Sequence, residues 1–419
     1  MKKKYKKWYK LDNAAKIFPP TSTKKDSKVF RFACELYEDV DKEILQYALD
    51  KTIEEYPLFL STLKKGLFWY YLETSSITPK VTKENKPVCD LISKDLLFHV
   101  TYYKKRINLE VHHSLSDGTG SLSFLRTLVS NYLIKKHKIK NKIIIDYTSI
   151  YEKEVDSYEK YYKTSKGVKS PSIKNAYNFK GNTYPEQRIK IIEGIVSTKE
   201  VLKLAKNYKT TVTVYLTSIL IKSIAATMSA REKKKPIVIT VPVNLRKYFK
   251  SNTTRNFFNT VFVNYKATNN DKLEDIIKSV DLQLKENLKT ENLSYKINSY
   301  ARLENIFIIR LVPVFIKDLV LKIFHYKSNK EQTISFSNVG IIDMPEELRG
   351  YIRLFDVFNS THSMQICMCS YLDNMTLSFS SHFVNTEIQK NFFKELSSKD
   401  INVVINDNVV EDTNYEEVL

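Results

Sequence analysis

Glycine is scarce, eight residues in 419. No glycine-rich turn links a strand to a helix. That speaks against nucleotide hydrolysis and dinucleotide-dependent oxidoreduction, which both cradle phosphates on such a turn. Cysteine is scarce too. Cys34, Cys89, Cys367 and Cys369 are too few for a disulfide framework. Cys367 and Cys369 fall on one face of a strand, but no His or Cys pair completes a metal site. Long apolar runs are missing. The most apolar window, residues 306–324, is broken by Arg310, Pro313, Lys317, Asp318 and Lys322, which makes a poor spanning helix. Its spaced charges suit an interfacial helix in peripheral membrane contact, or a lid. The favoured expectation is an ordinary packed helix, because amphipathic helices usually turn their apolar side to the core. The N-terminal MKKKYKKWYK lacks the apolar stretch of a secretory signal, and the chain reads as cytoplasmic.

Acidic residues are in deficit, 47 Asp and Glu against 67 Lys and Arg, for a formal charge of +20. Such a field favours anionic partners: nucleic acid, acidic lipid, phosphorylated cofactors or acidic proteins. No nucleic-acid-binding module accompanies it, so nucleic acid is set aside.

The length exceeds the usual single core, and two domains are expected. In the first half, residues 28–36 and 67–73 read as strands. Asp41 opens a helix with Ile44, Leu45, Ala48, Leu49 and Ile53 on one face, followed by Pro57. Residues 97–103 and 107–111 read as a hairpin, and a helix follows from about Leu122. Residues 150–187 change texture, rich in Tyr, Lys, Ser and Asn with little periodicity, and read as a crossover. The second half restarts with a strand at 189–196 and a capping box at Ser197 and Glu200, then a buried helix near 213–228. Strands at 236–243 and 259–265, a helix at 272–288, three late strands and a helix at 386–396 complete it. Strands and helices mix without βαβ alternation, which points to α+β layers. The expected division is 1–150, a crossover at 151–187, and 188–419.

The stretch LEVHHSLSDGTGSL, residues 109–122, gathers two histidines, an aspartate and two glycines. A histidine where a strand leaves its sheet can face a cleft, and imidazole is the side chain best suited to take a proton near neutral pH. An aspartate four residues on can brace the turn, and Gly118 would allow a backbone conformation closed to other residues. The bland alternative is a tight turn with a capping aspartate and two surface histidines.

The spacing His112-His113-x-x-x-Asp117-Gly118 resembles the signature of the chloramphenicol acetyltransferase-like superfamily of thioester-dependent acyltransferases, which includes condensation domains. Other segments resemble its bacterial alcohol acetyltransferase-like branch: WYKLDNAAKIFPP (8–20), VPVNLRKYF (241–249), TTRNFFNTVFVNY (253–265) and a Ser-Asn-x-Gly loop in SFSNVG (335–340). Together they run from residue 8 to roughly 396. The plant family's Asp-Phe-Gly-Trp-Gly motif is absent, which argues against that branch. Arg255 stands where many relatives have glycine.

The resemblance implies two chloramphenicol acetyltransferase-like subdomains forming a V around a central tunnel. It implies acyl transfer from acyl-coenzyme A, a substrate and not a resident cofactor, to an alcohol or amine acceptor. His113 would be the general base and His112 a packing neighbour. Asp117 would pair with Arg246, or failing that Arg255, and Gly118 would let the loop fold against the sheet. Asn256, Ser337 and Asn338 are candidate oxyanion or substrate contacts; on turn propensity alone they are equally loop caps. His382 reads as a strand histidine. Two alternatives stay open: a donor carried on an acyl carrier protein, and a condensation-like domain that only binds.

Overall fold

The computed structural model describes residues 6–91, 95–140, 143, 146–163, 176–185 and 188–408. Along the first half lie β1 (Trp8–Lys10), β2 (Val29–Leu36), β3 (Ser61–Lys65), β4 (Tyr70–Thr74), β5 (Thr82–Lys83), β6 (Phe98–Tyr103) and β7 (Arg106–His112). The second half adds β8 (Lys190–Ser197), β9 (Ile237–Asn244), β10 (Phe258–Tyr265), β11 (Ile334–Ile341), β12 (Ile352–Asn359), β13 (Met364–Tyr371), β14 (Asn374–Ser381) and β15 (Val404–Asp407). They form a small sheet β1-β4-β3, a five-stranded sheet β12-β2-β7-β6-β5 and a seven-stranded sheet β10-β9-β11-β13-β14-β8-β15. Most pairs are antiparallel. β11 runs parallel to both β9 and β13, and β5 parallel to β6. The class is α+β.

Each large sheet has its own core. The helices Lys42–Glu55, capped by Asp41, and Gly118–Lys136 cover the five-stranded sheet through Leu45, Leu49, Phe124, Leu128 and Tyr132. The helix Val212–Thr227 is buried on nearly every side of its middle turns, as its apolar sequence requires, and anchors the core of the seven-stranded sheet. The expected capping box at Ser197 is only half made. Ser197 Oγ accepts from Glu200 N at 3.3 Å, with no reciprocal bond from the Glu200 carboxylate to the Ser197 N–H among the described residues, and Asp373 Oδ1 adds to the cap by taking the Lys199 N–H at 3.0 Å.

One strand departs from the division by sequence. β12, from the second half, pairs antiparallel with β2 from Ile352↔Leu36 to Asn359↔Phe30. β2 is buried along almost its whole length, the pattern of a strand with neighbours on both edges. β7 takes one edge and β12 the other. β12 also ties the sheets together: Phe355 O accepts from Thr376 Oγ1 at 3.0 Å, and Ser378 Oγ donates to Asp356 Oδ1 at 2.6 Å. Of the expected crossover, the helices Ile150–Glu154 and Ser157–Tyr161 are described, and residues 164–175 lie outside the described residues.

Two further expectations are corrected. The strand expected from residue 67 begins at Tyr70, because Gly66–Trp69 turns the β3–β4 hairpin, with Gly66 N donating to Trp69 O at 3.0 Å. The apolar window 306–324 is split by Pro313 into helices Phe307–Leu311 and Val314–Lys330, whose apolar side chains are largely exposed and not packed on the core. Among the described residues, no single helix is long and apolar enough to cross a membrane.

Candidate functional site

The end of β7 delivers the two histidines to different surroundings, His112 as its last residue and His113 as the first beyond it. His112 turns inward. Its Nδ1 accepts from Ser114 N at 3.1 Å, which leaves the proton on Nε2, 2.9 Å from Ser22 Oγ. Burial holds its pKa down at about 3, so it is a neutral fixture of the turn.

His113 lies just past the strand, its N–H on Lys28 O at 2.9 Å. Its ring is half-buried and lines a cavity of about 620 Å³. Phe18 stacks on it (centroids 4.8 Å apart, planes 20°), Phe30 tilts against it at 4.5 Å, and Phe258 stands at 6.2 Å. Nδ1 is enclosed without a hydrogen-bond partner among the described residues. Burial pushes the imidazole pKa down to about 4, only partly offset by the negative charge of Asp117. The ring is therefore neutral at physiological pH, with a lone pair available to a proton donor.

Asp117 also borders this cavity, but its carboxylate is taken up in holding the loop. Its carboxylate caps the helix Gly118–Lys136 by accepting from Gly120 N at 2.9 Å, and accepts from Phe257 N at 2.8 Å. It also takes Arg246 in a two-pronged pair, Nη1 to Oδ2 at 2.8 Å and Nη2 to Oδ1 at 3.2 Å. Arg246 in turn gathers the loop before β10: it donates to Thr253 O at 2.8 Å, Arg255 O at 2.6 Å and Phe257 O at 3.3 Å. Arg255 goes elsewhere, to Lys10 O, with Asp12 at 3.9 Å. The buried Asp12, which burial raises to about 6, also accepts from Asn256 Nδ2 at 3.1 Å.

The remaining expected contacts divide. Asn256 does not line the cavity. Its amide is committed to Asp12 and, at 2.9 Å, to His113 O, so it fixes the main chain of the histidine. Ser337 and Asn338 do line the cavity. They lie on β11 and not on a loop, at a bulge between Asn338 and Gly340, where Gly340 has φ of +93°. Asn338 Nδ2 donates to Thr213 Oγ1 at 2.8 Å. His382 bonds Lys25 O through Nε2 at 2.7 Å and is held in place.

The glycine reading is corrected. Gly118 has no positive φ and is the first residue of its helix; a Cβ there would meet nothing nearer than Phe32 Cζ at 3.8 Å. The close approach occurs at Gly120, where a Cβ would lie 2.0 Å from Thr254 O and 2.5 Å from Ser116 Oγ. Ser116 Oγ donates to the same Thr254 O at 2.5 Å. Helix and loop thus meet backbone to backbone.

Sequence reasoning missed a polar cluster on the cavity wall. Lys28, with φ of +60°, places Nζ 2.5 Å from Asp26 Oδ2 and 3.2 Å from His325 Nε2, and His362 stands 3.9 Å from Asp26. Burial favours a protonated Asp26, but Lys28 beside it holds its pKa below the usual value. Burial and Lys28 together lower His325 to about 4. These residues come from segments nearly 300 positions apart, with no local pattern to join them.

The cysteines take no part. All four are buried, and burial pushes every thiol pKa up, which denies them thiolate character. No cluster of metal-binding side chains occurs among the described residues.

No family model matches the chain, and no curated protein does. Solved structures do. The trichothecene 15-O-acetyltransferase TRI3 of Fusarium sporotrichioides matches with a TM-score of 0.63 at 12% identity, covering 94% of this chain and 94% of that one. F. sporotrichioides TRI101, solved with coenzyme A and T-2, matches at 0.62 and 10% identity, covering 95% and 99%. The first condensation domain of the calcium-dependent antibiotic synthetase matches at 0.60 and 13% identity, covering 94% and 96%. Over nearly its whole length the chain has the α+β fold of condensation domains and chloramphenicol acetyltransferase-like acyltransferases.

Proposed function

We propose that this protein moves an acyl group from a thioester to a hydroxyl or amine, with His113 as general base. The observation that carries this reading is a neutral imidazole in an aromatic cage on the wall of a cavity. That cavity is bounded by Phe30 and Phe32 of one sheet and Val241, Val243 and Ser337 of the other, which gives two substrates one meeting place. His113 takes the acceptor proton as the acceptor oxygen or nitrogen attacks the thioester carbonyl. The tetrahedral intermediate expels the thiolate, which takes that proton from His113. Such a base contributes about 10²–10⁴-fold, and holding two reactants together contributes more. Ser337 is the candidate donor to the developing oxyanion. His112, Asp117, Arg246 and Asn256 act by holding His113 and its loop, and Gly118 by opening the helix.

Coenzyme A is the favoured donor, because the exposed Lys247 borders the cavity and suits its phosphates, with Lys285 beside it already paired with Asp281 at 2.5 Å. The similarity to a condensation domain favours a carrier-bound thioester as the second reading. The test offers purified protein acyl-coenzyme A with a panel of alcohols and amines and follows free thiol. Acceptor-dependent release that vanishes in His113→Ala supports the first reading. Turnover only with an acylated carrier protein supports the second, and silence with both donors leaves a domain that only binds.

A further inference from the structure

The helix Val314–Lys330 has two unlike faces. On one, Val314 and Lys317 are buried against the β3–β4 turn. Val314 N donates to Leu67 O at 2.8 Å, and Lys317 Nζ donates to Phe68 O at 3.0 Å while sitting 3.5 Å from the Trp69 ring centroid. Further along, His325 and Asn329 line the catalytic cavity. The other face carries Phe315, Leu319, Val320 and Ile323, each at least half exposed. The preceding helix adds Phe307 and Ile308, 71% and 74% exposed, and the turn tip adds Leu67 at 70%. Soluble proteins rarely leave contiguous apolar patches of this kind uncovered.

Charge says what covers it. Between residues 306 and 330 lie Arg310, Lys317, Lys322, Lys327 and Lys330 against a single carboxylate, Asp318. That carboxylate is already held by Lys65 at 3.0 Å and Tyr70 at 2.9 Å. Lys322, Lys327 and Lys330 are exposed on the helix, so an apolar centre carries a cationic rim. A second copy seated on this face about a two-fold axis would set that rim against itself, since such an interface pairs the same patch with itself. An anionic bilayer offers both an apolar interior and negative headgroups.

We propose that this face seats on an anionic lipid bilayer and opens the cavity beneath the helix toward the membrane. The acceptor is then a hydroxyl carried by an amphiphile in the bilayer; this second half rests on the acyl-transfer reading, while the docking does not.

Flotation with phosphatidylcholine vesicles, with and without phosphatidylglycerol, tests the docking. Wild type is expected to float with the anionic vesicles, more weakly as salt rises. Phe315→Ser/Leu319→Ser lowers binding by about two orders of magnitude, and Lys322→Gln/Lys327→Gln by about fivefold per lysine removed. All four side chains are exposed, so unchanged melting curves establish that the variants fold. Wild type that fails to float with anionic vesicles at low salt overturns the proposal. So does a wild-type dimer that the Phe315→Ser/Leu319→Ser change dissolves, which would show a second copy on the face, or flotation that neither variant weakens. For the acceptor, transfer to a short water-soluble alcohol is compared with transfer to a long-chain alcohol in vesicles. Loss of only the vesicle reaction in Phe315→Ser/Leu319→Ser supports membrane access, and equal loss of both overturns it. Vesicle binding without transfer to either alcohol, from acyl-coenzyme A or from an acylated carrier protein, leaves the docking standing and removes the acyl-transfer reading.

Discussion

Asp117→Asn isolates what the carboxylate does for the loop. The aspartate accepts from Gly120 N, Phe257 N and both Arg246 Nη atoms at 2.8–3.2 Å. The amide has one acceptor oxygen. If that oxygen keeps the helix cap and one Arg246 N–H, the amide NH₂ is left facing the Phe257 N–H and the other guanidinium nitrogen, donor against donor. Arg246 keeps the carbonyls of Thr253, Arg255 and Phe257 but loses the anion it pairs with among the described residues. Removing one partner of a buried pair costs about 3–5 kcal/mol. For 419 residues the unfolding entropy is about 0.9 kcal/mol/K, so Tm should fall by about 3–6 °C. Differential scanning calorimetry reads this directly. Arg246→Met should cost a similar amount, and the double variant less than the sum, with a coupling of about 0.5–3 kcal/mol. A Tm within 1 °C of wild type for Asp117→Asn, or strictly additive costs, would refute the argument that this pair locks the loop.

His113→Ala should lose about 10²–10⁴-fold in kcat while Tm, followed by circular dichroism, drops by no more than about 2 °C, the ring's contribution being its stacking on Phe18 and Phe30. Gly120→Ala should yield unstable or insoluble protein, because the methyl collides with the Thr254 carbonyl. Gly118→Ala should fold with a Tm near wild type, and equal behaviour of the two in thermal melts would contradict the packing described. With burial holding His113 at about 4, kcat/KM should stay level through pH 6 and halve near pH 4; a half-point at 6 to 7 would show an ordinary solvated histidine. His112 and His113 both have lowered folded pKa values, so the unfolded chain binds more protons below about pH 6.5. Stability is therefore lost as pH falls from there toward 4 and 3, and the acid limb is best measured by brief pH jumps.

The strands and helices could be read because their patterns are local. Asp41 and Ser197 announced helix starts, and the hairpin ending at His112 appeared as two alternating runs. The pairing of Asp117 with Arg246 was expected only through a resemblance, since nothing local connects residues 129 positions apart. The Lys28–Asp26–His325 cluster and the aromatic cage of Phe18, Phe30 and Phe258 were invisible for the same reason. Gly120 was overlooked because its constraint is a neighbour's carbonyl and not its own φ. The helix Val314–Lys330 misled because periodicity records that a face is apolar, not what meets it.

The position of β12 bears on how the chain is made. β2 is complete once residue 36 has been synthesised, but its second hydrogen-bonding partner begins at residue 352. At about 5–20 residues per second, the ribosome leaves that edge without its native neighbour for roughly 15–60 s. An apolar strand with open backbone groups is a template for pairing with other chains. The nascent N-terminal half therefore needs shelter through most of translation, and a fragment ending near residue 150 would inherit the exposure permanently.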